Sequence, residues 1–235
     1  MPSADWSSDH PTPSSIVRYA TLVHFIAASG FLISAAAAVF VYSSPGLYAA
    51  LFNETGLTSA GWVVTVMPLA IVLLFAPAVP RLSVGAAWAV FAGFSAAIGL
   101  SLSSIFAAYA AASVDIMFLA SACAYTVLAI VGWRARCDLS AMAKFMIATL
   151  FGLIVATFAN LFLRSNPADF VLACLGVPIF AALAAADTQR IRRLYETSPH
   201  GSPERMAIFG ALTLYLDLLN LFLSPLRIGG KRRGD

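Results

Sequence analysis

Apolar residues in this chain neither alternate nor recur every third or fourth position. They come in unbroken blocks about twenty residues long, parted by short polar runs. The blocks fall at 22–42, 60–79, 86–108, 113–133, 142–163, 168–187 and 206–226. About twenty residues of helix cross a hydrocarbon core of ~30 Å. A helix apolar on all faces has no stripe that would divide a core from water. The pattern therefore predicts an all-α membrane protein with seven transmembrane helices. The parting runs "SSPG", "NETG", "PAVPRLS", "RARCDLS", "RSNPAD" and "RRLYETSPHGSPE" hold the usual Pro, Gly, Asn and Ser breakers. The connection at 109–113 is weakly marked, but a single helix over 86–133 would be about 72 Å long, more than twice the core.

Composition strengthens this reading. Charged residues make up 11 % of the chain and apolar ones 60 %, against about 25 % charged in soluble domains. No polar stretch is long enough to fold separately. The expected organisation is a disordered cytoplasmic tail over 1–20, a transmembrane domain over 21–228 and a short basic tail over 229–235. The tail "MPSADWSSDHPTPSSIVRYA" lacks the basic start of a signal peptide, and the first apolar block reads as a retained span. Cys123 and Cys174 fall in apolar blocks and Cys137 in a basic loop; without a CxxC they suggest no metal or disulfide framework.

Charge orients the bundle. The N-terminal tail and alternate loops carry Arg18; Arg81; Arg134, Arg136 and Lys144; and Arg190, Arg192, Arg193 and Arg205, while the opposite loops carry Arg164 alone. The positive-inside rule places the N-terminus in the cytoplasm, in the plasma (inner) membrane if the source is bacterial. Seven crossings would put the basic tail "RIGGKRRGD" outside, against that rule, and "LSPL" leaves room for a kinked or re-entrant last segment. The basic clusters lack interleaved aromatics, so membrane lipid rather than nucleic acid is the expected partner.

Two acids stand where charge is expensive. Asp217 lies eleven residues into the last block, about 16 Å along a helix, and Asn220 follows on the same face. A carboxylate at that depth must be neutral, paired or solvated. Asp187 ends the preceding block and is the available partner, although it lies closer to the cytoplasmic surface. If the two meet, they share a proton, and cations or water compete for them. That makes a pH-sensitive gate. The plainer alternative is a protonated helix–helix contact at Asp217 and an interfacial acid at Asp187. Arg81, where the second block meets the cytoplasm, either snorkels or latches an inward acid. No HExxH or phosphate loop occurs, and His10, His24 and His200 offer no central base. An enzyme is not expected, nor is a cofactor.

The segments "AIGLSLSSIF", "CDLSAMAKFM", "LFGLIVATFANLFLRS", "GVPIFAALAAADTQRIRRLY" and "GALTLYLDLLNLF" resemble the Bax-inhibitor family, the transmembrane Bax inhibitor motif proteins, in its bacterial branch. The resemblance covers roughly 20–230. It implies a seven-helix fold with a central last helix and a pH-sensitive calcium leak, with a di-aspartyl sensor at Asp187 and Asp217 and a basic latch at Arg81. It also implies an alternative role, a non-conducting regulator acting through contact with a membrane protein such as a protease. Calcium would bind transiently, because a tight site needs six to eight oxygens. Departures from the family pattern are Ala186 where an aromatic commonly precedes Asp-Thr-Gln, the loop "VGWRARCDLS", a long "ETSPHGSPE" connection and Pro225 in the last helix.

Overall fold

A computed structural model describes residues 12–53, 56–78, 82–163, 165–197 and 203–232. The helices are α1 (Pro13–Tyr42), α2 (Pro45–Leu51), α3 (Ser59–Ala78), α4 (Val84–Ala108), α5 (Ala111–Arg134), α6 (Ser140–Leu163), α7 (Asn166–Thr197) and α8 (Pro203–Gly229). Strands β1 (Phe52–Asn53) and β2 (Gly56–Leu57) pair antiparallel between α2 and α3. Most of the expected tail 1–20 lies outside the described residues. The described chain begins at Thr12, whose hydroxyl accepts from the Ser15 N–H, and Pro13 opens the first turn of α1. Ser83 caps α4 in the same way, accepting from Ala86 N–H.

The expected bundle of seven transmembrane helices with a central last helix is corrected by the structure. Among the described residues there are eight helices, and six are long and apolar enough to cross a membrane: α1, α4, α5, α6, α7 and α8. The block at 60–79 forms α3, the shortest of the long helices at 20 residues. That is about 30 Å, with no turn to spare over a hydrocarbon core, and Pro68 removes a hydrogen bond from its middle. Counting apolar residues did not separate this segment from the others. Part of the stretch read as loop before it also folds, into α2 and the hairpin.

Close packing is made by small residues. A Cβ on Gly99 would stand 2.3 Å from the Ser34 carbonyl, and one on Gly132 would stand 2.0 Å from the Ala185 carbonyl. Only glycine permits α1 to meet α4, and α5 to meet α7, at that separation. Gly30 meets Phe91 and Gly99 meets Ser34, so α1 and α4 run parallel, with α2 and α3 between them in sequence.

The weakly marked turn after α4 is held from a distance. Ala110 N–H donates to the Lys231 carbonyl, and Tyr109 bridges Arg232. The chain's last residues thus supply the partners that a Gly or Pro turn would otherwise make unnecessary.

Burial is uneven. In α8, 61 % of the most apolar window is buried; in α6, none is. Phe151, Val155 and Phe158 of α6 face outward, as a lipid-contacting helix requires. On α8, Tyr215 packs against Phe31, Phe91 and Phe94 with ring centroids 5.6–6.2 Å apart. Its hydroxyl meets Ser34 Oγ at 2.7 Å, and Ser34 donates to the Ser95 carbonyl at 2.6 Å. This satisfies the buried polar groups where no water is at hand.

Candidate functional site

α7 does not stop at Asp187. It runs ten residues further, to Thr197, which places Asp187 inside a helix rather than at its end. Asp187 is 7 % exposed and Asp217 5 %. The two carboxyls hydrogen-bond each other across the α7–α8 interface.

The register explains how residues at different depths meet. Gly176 lies against Ser224 and Gly210 against Ile191. Asp217 therefore stands level with Leu183–Ala184, about one turn before Asp187. Side chains on a helix lean toward its N-terminus. Because α7 and α8 are antiparallel, the two carboxyls lean toward each other and close the gap. Beyond this contact, Asp217 Oδ2 finds no hydrogen-bond donor among the described residues. Arg190 is the cation that acts on Asp187 electrostatically.

The turns that follow Asp187 are clamped. Thr188 donates to the Ala184 carbonyl. The buried Gln189 side chain accepts from Leu139 N–H at 2.9 Å and donates to the carbonyls of Cys137 and Ala135 at 2.9 and 3.3 Å. One amide thus pins the whole α5–α6 loop. Arg192 lies over the Trp133 ring, 5.6 Å from its centroid, and donates to the Trp133 carbonyl. Arg193 pairs with Asp138 at 2.6 Å. Hydrogen bonds from Ser140, then from Arg193, hold the Asp138 carboxyl down at about 2. Tyr195 stacks on Tyr19 of α1, centroids 4.4 Å apart. At the opposite end of the bundle, Arg227 of α8 pairs with Asp169 of α7.

The other sequence-based candidates fare differently. Asn220 is not joined to the pair: its Nδ2 donates to the Leu216 carbonyl one turn back, at 2.8 Å, and the residue lines a separate cavity with Ser224 and Arg227. Arg81 lies outside the described residues. Among the described residues, no group of three or more His, Cys, Asp or Glu side chains could hold a metal ion. Two carboxyl groups supply too few oxygens for a resident calcium, which takes six to eight, though they can touch one in passing.

Two features escaped the sequence reading. Tyr125 of α5 is 8 % exposed, interacts electrostatically with both aspartates, and its hydroxyl has no hydrogen-bond partner among the described residues. The Ser34–Tyr215 contact ties α1 to α8 two residues from Asp217. The available signal for Tyr125 was spacing: Ser121, Tyr125, Ala129 and Gly132 recur every three or four residues, and all are buried.

Fold and site together define a multi-pass helical membrane protein with a carboxyl pair enclosed between its last two helices. The chain belongs to the Bax inhibitor family, in its bacterial branch: residues 17–234 match the family described as "Inhibitor of apoptosis-promoting Bax1". It is 36 % identical over 168 residues to the inner membrane protein YbhL of Escherichia coli K12, covering 70 % of this chain and 72 % of that one. It is 39 % identical over 165 residues to an uncharacterised protein of Deinococcus radiodurans, covering 70 % and 71 %. With protein RP147 of Rickettsia prowazekii the identity is 31 % over 217 residues, covering 92 % and 90 %. Members of the family are non-catalytic.

Proposed function

We propose that this protein is a pH-sensitive cation leak, with calcium as the favoured cargo, gated by the Asp187–Asp217 pair. The carrying observation is that two carboxyls, each buried in a membrane-spanning helix, hydrogen-bond each other. Intramembrane acids are costly and are found on ion and proton paths. With one proton between them the carboxyls hold α7 to α8. Without it they are two anions, which repel. A hard cation such as calcium can take the proton's place among oxygen ligands, and weak binding by few ligands suits passage better than storage.

The orientation has the N-terminus in the cytoplasm. Arg134, Arg136, Arg190, Arg192 and Arg193 gather at the end of the bundle where α5 and α7 finish, and cytoplasmic loops carry the excess of Lys and Arg. The similarity to an inner membrane protein of E. coli supports the plasma membrane as the site of action.

The test is ion flux in liposomes holding the purified protein, measured for calcium, sodium and protons across pH. The parent should conduct calcium with a pH dependence, and Asp217→Asn should abolish that dependence while remaining folded. A folded Asp217→Asn protein with the parent's profile would remove the gate. A parent that conducts no ion would leave the protein as a regulator that works by contact with another membrane protein.

A further inference from the structure

Beside the carboxyl pair, a cleft of about 710 Å³ opens between α1 and α5, with Thr188 of α7 at its back. Its mouth is set by Trp133 and Arg134, where α5 ends at the aqueous surface. Its inner wall carries His24 and Tyr125, whose rings lie 6.2 Å apart. The Tyr125 side chain is buried, yet its hydroxyl has no hydrogen-bond partner among the described residues. A buried unpaired hydroxyl is costly, and such groups are the usual partners of bound water. The cleft is roomy enough for many waters, since one occupies about 30 Å³ in the liquid. Thr188, immediately after Asp187, lines the same cleft, so the cleft ends one residue from the first of the two acids.

We infer that Tyr125 is the third hydrogen-bonding group of the carboxyl site, and that the α1–α5 cleft is the route by which water and protons reach it from the cytoplasmic end. This rests on the pair being a working proton site, as proposed above. The geometry assigns each neighbour a part. From α7 come Asp187 and, beside it, Arg190; from α8 comes Asp217; from α1 comes His24, whose Nδ1 is engaged by the Ala20 carbonyl at 2.8 Å. Arg134 lies on α5 itself, and α4 carries no ionisable side chain. The phenol is a neutral donor near pH 7. Through a water held in the cleft, it donates to whichever carboxyl lacks the shared proton. Tyr125 is a positioning residue: it sets the pH at which the pair changes state and does not itself carry cargo.

The decisive variant is Tyr125→Phe, which keeps the ring and removes only the oxygen. Infrared difference spectra of the purified parent, with bands assigned by Asp187→Asn and Asp217→Asn, report the carboxyl pair whether or not the protein conducts. Tyr125→Phe should move the band of the pair and displace its titration midpoint by about one pH unit, as expected for a lost hydrogen bond to a charged acceptor. An unchanged band and midpoint would overturn the role of Tyr125. A displaced band in a protein that shows no flux would sink the leak reading and leave this one standing. The route is tested separately with Thr126→Cys as the sole cysteine. Thr126 lines the cleft, whereas Cys123 lies on the same helix outside it. A membrane-impermeant thiol reagent should label Thr126→Cys at least ten times faster than Cys123 kept as the sole cysteine. Equal, slow labelling of both would show a lipid-filled cleft and overturn the route.

Discussion

Asp187 hydrogen-bonds Asp217 although the two residues stand about one helical turn apart in depth. Antiparallel helices that each tilt their side chains toward their own N-terminus make this meeting possible. Parallel helices in the same register would have carried both carboxyls the same way and left the offset in place. The pair therefore reports the α7–α8 register, and a slip of either helix breaks it.

Coupling between the two acids is the first testable consequence. Asp187→Asn and Asp217→Asn should each flatten the pH dependence of flux, and the double variant should add little to either. Groups in contact show interaction energies of about 0.5–3 kcal/mol. Flux–pH curves for the four proteins of the cycle measure this, and strictly additive effects would contradict a shared site.

Packing near the site can be probed at Gly132. A Cβ there would overlap the Ala185 carbonyl, two residues before Asp187. Gly132→Ala should force α5 from α7, lower stability by about 1–3 kcal/mol and alter the pH response. Gly152→Ala is the control, because a Cβ at Gly152 meets nothing within 4 Å. It should be neutral or gain up to about 1 kcal/mol from helix propensity. Thermal unfolding in detergent distinguishes the two.

Asp138 separates structural acid behaviour from gating. Its carboxyl is pulled below the ordinary 3.8 to about 2, by Ser140 first and then by Arg193. A depressed carboxyl contributes stability above its unfolded value, and that contribution is lost as pH falls through about 2. Asp138→Asn should therefore change acid tolerance between about pH 4 and 2 and leave any response near neutrality intact. Carboxyl chemical shifts of labelled aspartate against pH give the midpoint, and salt should weaken the effect at this exposed position.

Orientation can be read from two positions at opposite ends of the bundle. Cys137 is exposed in the α5–α6 loop. Ser113 lies at the start of α5, where its hydroxyl accepts from Lys231 N–H. In sealed vesicles, an impermeant reagent on the cytoplasmic face should label Cys137 and spare Ser113→Cys. The reverse pattern would invert the proposed orientation.

Most helix positions were legible because lipid demands apolar residues on every exposed face. The block 86–108 became Val84–Ala108, and 113–133 became Ala111–Arg134. What was not legible has physical reasons. The end of α7 reads as the start of the polar loop "RRLYETSPHGSPE", yet Arg, Leu and Glu are good helix formers, and Arg192 and Arg193 bind this stretch to the end of α5 and to the α5–α6 loop. The number of spans failed at α3, which forms from the apolar block at 60–79 but is not among the six helices long and apolar enough to cross. Asp187 and Asp217 stood out as acids in apolar blocks. Tyr125 did not, since a tyrosine in a membrane helix is ordinary until its hydroxyl is found without a partner. Asn220 shares a face with Asp217 by spacing, but its own helix backbone takes its amide.

The burial of α8 against α1, α5 and α7 bears on biosynthesis. Helices leave the ribosome from the N-terminus, so α1, α4, α5 and α7 enter the membrane before α8 exists. Until α8 arrives, Asp187 has no carboxyl partner, and Ser34 has no Tyr215. A chain stalled before Pro203 carries a bare intramembrane acid, which is costly, and a vacant groove lined by Phe31, Phe91 and Phe94. The Asp187–Asp217 contact forms only once α8 has inserted, so no product of synthesis that lacks α8 contains it.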